Sequence, residues 1–194
     1  MLAFLKWNKT HRAWATVGLS YGSKVVEPKA LETYLARMDE LKEIRATPRD
    51  APPPPELLEW LVRCAEQPAT RWEGAYELGG FALIATLTEA QRKRLVESLL
   101  RTPSVTLGEA ILASALRDVP SRGVDDMLVR GLREAFERKQ ASLAVTLLET
   151  ISQRTDSPAA KTAVMGYEEH IVDEEKWTPF LRKAVEAIER ERSK

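Results

Sequence analysis

One cysteine, Cys64, stands in 194 residues, so an intrachain disulfide is impossible. A core stapled by disulfides is excluded, and the lone thiol suits a reducing compartment, for which the cytoplasm is the expectation. Histidine is almost as scarce: His11 and His170 are the two that occur. They leave little material for histidine-based metal binding or for a nucleophile activated by histidine. No histidine lies within a helical turn of Cys64. Its thiol therefore lacks a base to keep it ionised, and core packing is its expected role. Net charge is missing too, because 29 Lys and Arg balance 29 Asp and Glu. Overall charge does not draw the chain to nucleic acid or to an anionic membrane. No apolar run approaches the ~20 residues of a membrane-spanning helix, so no membrane partner is expected. The start Met1-Leu2-Ala3-Phe4-Leu5-Lys6-Trp7 also lacks the basic lead and long apolar segment of a signal peptide.

A glycine-rich phosphate loop is absent as well. Gly18, Gly22, Ser23 and Lys24 spell G-x-x-x-G-S-K, which is one residue short of the phosphate-binding pattern and reverses its last two residues, so a flexible turn is expected. Residues 1–27 carry Phe4, Trp7, Trp14 and Tyr21 among Lys6, Lys9, Arg12 and Lys24, against the single acid Glu27. Such interleaving suits stacked bases or a membrane surface. It equally suits a terminal helix that covers the open end of a helical stack. The expected organisation is an N-terminal basic, aromatic arm or capping helix over 1–27 and one helical domain over 28–194.

Helical periodicity is what the chain has in abundance. Pro28 opens a stripe of Leu31, Tyr34, Leu35, Met38, Leu41 and Ile44, spaced to give one apolar helix face. Residues 47–55, Thr-Pro-Arg-Asp-Ala-Pro-Pro-Pro-Pro, read as a stiff extended spacer whose last proline starts the next helix. Beyond it, the apolar pairs Leu57-Leu58, Leu95-Val96, Leu128-Val129 and Ala163-Val164 recur at intervals of 33 to 38 residues. Each pair precedes another apolar residue by one turn: Leu61, Leu99, Leu132 and Tyr167. A second series starts near Gly74, Gly108 and Ser142 at 34-residue steps, with Leu78, Leu112 and Thr146 at matched positions. One helical hairpin cannot bury its own apolar face, and a recurrence of this length is what stacked hairpins leave in a sequence. The expected fold is all-α: a right-handed α-solenoid of about four stacked hairpins with terminal capping helices.

The boundaries carry their own signals. Thr88 to Gln91 and Thr106 to Glu109 read as capping boxes, and Ser157-Pro158 and Thr178-Pro179 as helix starts, the last helix running through Arg192. Gly74, Gly79 and Gly80 fall inside a helix expected over 71–87. A helix that tolerates such residues packs closely against a neighbour.

Candidate functional residues gather at the start of that helix. Trp72 and Tyr76 lie one turn apart, as do Glu73 and Glu77, and two carboxylates beside aromatics can grip a cation or serve acid–base chemistry. Acidic residues in a first helical turn also simply favour the helix dipole. An alternative set of phosphate contacts is Arg71, Arg92, Lys93, Arg94 and Arg101, joined by the basic N-terminal arm. Around His170 stand Glu168, Glu169, Asp173, Glu174 and Glu175. Consecutive charges on a helix point in different directions, so no metal is expected there, and no pattern asks for a cofactor.

From hairpin length, short turns and paired apolar residues, residues 29–172 resemble the HEAT-like and armadillo-like family of α-helical repeats. The 34-residue step also equals that of tetratricopeptide repeats, but with Trp72 as first position the residues Ala75, Tyr76 and Gly79 do not follow that family's pattern. The resemblance implies a non-catalytic protein-binding or adaptor module with a protein partner on its concave surface. A few HEAT-like proteins are DNA glycosylases that excise alkylated bases, which makes nucleic-acid binding the alternative, although no motif of theirs is found. An oligomerisation domain is a third reading.

Overall fold

The computed structural model describes residues 2–3, 5–8, 13–16, 23–24, 28–44, 54–80, 83–170 and 174–193. Two compact units divide between Glu43 and Ile44. The first contains four short strands, β1 (Leu2–Ala3), β2 (Leu5–Asn8), β3 (Ala13–Thr16) and β4 (Ser23–Lys24), and one helix, α1 (Pro28–Glu43). β1 pairs antiparallel with β4, and β2 with β3, placing Trp7 opposite Trp14. These strands stand in the place of the arm or capping helix expected for 1–27; of the turn expected at 18–24, Ser23-Lys24 lies in β4 and 18–22 are outside the described residues. The alternation Leu5-Lys6-Trp7-Asn8 has the two-residue period of a strand, which a helix cannot use to form one apolar face. Helix α1 falls in the same compact unit as the strands. On α1 Tyr34 is buried, whereas Leu35 and Leu41 of the same stripe remain exposed.

The second unit is helical throughout its described residues. It comprises α2 (Pro55–Glu66), α3 (Arg71–Gly80), a short 3-10 turn at Leu83–Thr86, α4 (Glu89–Leu100), α5 (Leu107–Ala115), α6 (Arg122–Glu137), α7 (Ala141–Arg154), α8 (Pro158–His170) and α9 (Glu174–Arg192). Local chemistry sets these ends. Pro54 is extended and Pro55 opens α2, a position where the missing N–H costs nothing. Most of the Pro-rich spacer, residues 45–53, lies outside the described residues. Both capping boxes form: the Thr88 and Thr106 side chains accept backbone N–H groups of α4 and α5, and Gln91 and Glu109 reach back. Ser157 accepts from the Ala160 amide at 3.1 Å, as expected of a cap on α8. Two ends differ from the sequence reading. Helix α3 stops at Gly80 instead of running to 87, as the high backbone entropy of Gly79-Gly80 favours. Helix α9 begins four residues before Thr178 and carries Pro179 within it. Its buried face, Trp177, Leu181, Ala184, Val185 and Ile188, spans the proline and compensates the hydrogen bond the ring forgoes.

Two contact series run through this unit. Helix α3 packs on α5 and α5 on α7, while α2 packs on α4 and α4 on α6. The 34-residue series therefore marks three helices that do lie side by side. Leu78 and Leu112 are both fully buried. At the third step Thr146 is half-buried and Leu147 takes the interior place, so that interval is 35 residues. The last pair departs from the series: α8 packs on α7 and α9, and it is α9 that packs on α6. Leucine is the commonest residue of the core, with Leu95, Leu99, Leu128, Leu132 and Leu148 fully buried. Cys64 is buried as well.

Gly74 marks the closest approach of α3 to α2. A Cβ there would stand 2.5 Å from the Ala65 nitrogen and 2.8 Å from the Leu61 oxygen, both backbone atoms. In an open helix Gly→Ala gains about 1 kcal/mol. Here the gain is outweighed, because α2 itself would have to move, and overpacking of this kind costs about 1–3 kcal/mol. Gly74→Ala is expected to lower the urea midpoint of the full chain; a raised midpoint would show that the two helices separate freely.

Candidate binding surface

Helix α3 opens on Arg71, and its first two turns carry the residues singled out above. The Trp72 and Tyr76 rings stack with centroids 5.3 Å apart and planes 13° from parallel. Tyr76 is 54% exposed, so one face of the stack meets solvent. Glu73 and Glu77 are half-buried on the adjoining side of the same helix. The start of α5 lies alongside, with the Cβ position of Gly108 only 3.3 Å from the Trp72 nitrogen. Leu107, the residue before Gly108, is 41% exposed. The structure thus brings Trp72, Glu73, Tyr76 and Glu77 together as one aromatic and acidic surface. A cation could lie over the aromatic faces with the carboxylates beside it.

The basic set does not assemble in that way. Arg71, expected as a phosphate contact, is 1% exposed. Its Nε donates to Ala65 O at 2.9 Å, its Nη2 to Glu66 O at 2.9 Å and to Ser98 O at 3.5 Å, and its Nη1 to Thr102 Oγ1 at 2.8 Å. The Nη1 group also pairs with the buried Glu109 carboxylate. A guanidinium carries five N–H donors and always its charge, so once folded inside it must be satisfied there. Arg94 reaches across to α2, donating to both Glu66 oxygens at 2.8 and 2.7 Å and to Glu59 Oε1 at 2.8 Å. Arg92 donates to Ala85 O at 2.9 Å. Lys93 and Arg101 are exposed. Three of the five bases thus make contacts within the fold: Arg71 in the interior, Arg94 against α2 and Arg92 on the turn before α4.

The Arg94 cluster shifts ionisation in a predictable sense. Burial alone would raise the Glu59 carboxyl, but hydrogen bonds from Gln91 and Arg94 and the charges of Arg94 and Arg63 outweigh it and hold the group below its ordinary value. Hydrogen bonding to Glu66 and Glu59 raises Arg94 in turn. A carboxyl depressed in the folded state contributes stability above its unfolded pKa and loses it as pH falls through the folded one.

A cleft of about 600 Å³ lies elsewhere in the unit, between the α6–α7 turn and α9. Phe136, Lys139, Gln140, Trp177, Thr178 and Arg182 are among its lining residues. The Arg182 guanidinium carbon sits 5.9 Å from the Phe136 ring centroid, within cation–π range. Lys139 has a positive φ of 54°. Its N–H donates to Phe136 O at 3.0 Å and that of Gln140 to Ala135 O at 2.8 Å, the hydrogen-bond pattern of a helix stop that normally takes glycine. A side chain in this conformation costs about 1 kcal/mol. Sequence reasoning missed this cleft because its residues come from two segments about 40 positions apart; the one local signal is a sharp turn between α6 and α7 made without glycine.

Among the described residues no group of three or more His, Cys, Asp and Glu is placed to hold a metal ion. The side chains around His170 lie outside the described residues. No described helix is long and apolar enough to cross a membrane. Comparison with protein-family models, with curated proteins and with solved structures finds no match.

Proposed function

We propose that this protein is a non-catalytic interaction module, a short right-handed α-solenoid of the HEAT-like kind acting in the cytoplasm. It binds a partner protein on the face formed by α3 and the start of α5. The observation that carries this reading is the Trp72–Tyr76 stack, more than half exposed at Tyr76 and flanked by Glu73 and Glu77. Exposed aromatics in a rigid setting are the residues that dominate protein interfaces. The contact series α3–α5–α7 and α2–α4–α6 supports the repeat architecture, and the swapped last pair is a terminal cap. The nucleic-acid reading loses support because Arg71 and Arg94 are consumed by the fold.

The test is affinity capture of partners from host lysate on the full chain, with and without nuclease, beside the Trp72→Ala, Tyr76→Ala double variant. A protein retained after nuclease and bound at least about tenfold more weakly by the double variant is the expected result, since interface aromatics are worth about 2 kcal/mol or more. Nucleic acid captured in a steeply salt-dependent way, or a partner indifferent to the double variant, would overturn the assignment.

A further inference from the structure

The cleft between the α6–α7 turn and α9 has chemistry opposite to that of the α3 surface. Its lining includes two aromatic residues, Phe136, half-buried, and Trp177, 8% exposed. Lys139 and Arg182 stand at it as two cations against one carboxylate, Glu137. Its volume of about 600 Å³ falls in the range of ~300–1,000 Å³ typical of ligand sites. Lys139 occupies a position where glycine would be the more stable residue, so the chain keeps a cation here against its own conformational preference. Arg182 is exposed, with its guanidinium carbon 5.9 Å from the Phe136 ring centroid.

We propose that this cleft is a second binding site, which takes an acidic segment of a partner protein, one apolar or aromatic side chain lying against Phe136 and Trp177 and its carboxylates between Lys139 and Arg182. Charge complementarity selects this occupant: the two cations attract carboxylates, whereas a basic segment would meet like charge at both. The two aromatic residues require more than charge, because a purely acidic chain would leave them uncovered.

The experiment is selection of a random dodecapeptide library displayed on phage against the intact protein. Selected peptides are then measured by fluorescence polarisation on the wild type and on the Lys139→Gly, Arg182→Gln double variant. Lys139→Gly alone is expected to raise the melting temperature, which separates loss of binding from loss of fold. Acidic peptides with an apolar residue should be selected, bind at least tenfold more weakly to the double variant, and weaken with added salt. Failure to enrich any peptide, enrichment of neutral or basic ones, or acidic peptides that bind the double variant as tightly as the wild type would each overturn the proposal. Basic peptides sensitive to Trp72→Ala would do so while supporting the α3 surface, so the two readings fail separately.

Discussion

Arg71→Ala is expected to destabilise the full chain by about 3–5 kcal/mol, the cost of breaking a buried ion pair by removing one partner. That is a large part of the ~5–15 kcal/mol by which ordinary domains are stable. The reason lies in what Arg71 connects. It closes the C-terminal carbonyls of α2 at Ala65 and Glu66, holds Thr102 and Ser98 from the end of α4, and meets Glu109 at the start of α5. Glu109 is engaged twice, since its other oxygen accepts from the Thr106 amide at 2.8 Å in the capping box. Removing the guanidinium leaves a carboxylate that is 2% exposed without its counter-charge and helix carbonyls without donors. The double variant Arg71→Met, Glu109→Gln should recover part of the loss, because no lone charge stays buried. Urea unfolding followed by far-ultraviolet circular dichroism measures both. A loss below about 1 kcal/mol for Arg71→Ala would mean that water reaches the pocket and the pair is worth no more than a surface one.

Arg71 also shows where the sequence stops being legible. An arginine at a helix start reads the same whether it faces solvent or the interior, since its type carries no direction and its acceptors come from residues as far away as Glu109. Apolar periodicity does carry direction. The steps from Leu78 to Leu112, and from Leu95 to Leu128, could be read because burial on one face repeats with the helical turn. The cap residues Thr88, Thr106 and Ser157 were legible for a similar reason, as their hydrogen bonds close within three residues. Helix α9 in the place next to α6 had no such local sign. Ala163-Val164 of α8 matches the repeat in sequence, yet α8 packs on α7 and α9, which only the tertiary contacts decide. At the N-terminus, β2 is four residues long, and so short an alternation is outweighed by the aromatic and basic composition around it. The α3 surface was legible because all four of its residues fall within two turns of one helix. The cleft at α9 was not, being assembled from α6, α7 and α9.

Arg154→Ala is expected to cost about 3 kcal/mol, as the loss of a buried guanidinium that serves a half-buried carboxylate and three backbone carbonyls. The side chain is 1% exposed and its Nε donates to Asp125 Oδ1 at 2.9 Å. The remaining donors close the end of α5: Nη1 meets Ala113 O at 3.0 Å and Leu116 O at 2.6 Å, and Nη2 meets Val119 O at 3.1 Å. A helix C-terminus leaves carbonyls without intrahelical partners, and a cation satisfies both their lone pairs and the negative end of the dipole. Arg154 thus does for α5 and α6 what Arg71 does for α2 and α5, tying one helix end to an acid at the start of another. Arg154→Lys tests whether geometry or charge matters. An ammonium is a compact point charge that cannot span four acceptors set around a planar fork, so the lysine variant should retain less than half of the stabilisation. Arg133→Ala supplies the contrast: its pairing with Glu189 is at the surface, and its loss should leave the urea midpoint close to that of the wild type. If Arg154→Lys matched the wild type, charge alone would account for the contact. If Arg133→Ala fell as far as Arg154→Ala, burial would not be what separates them.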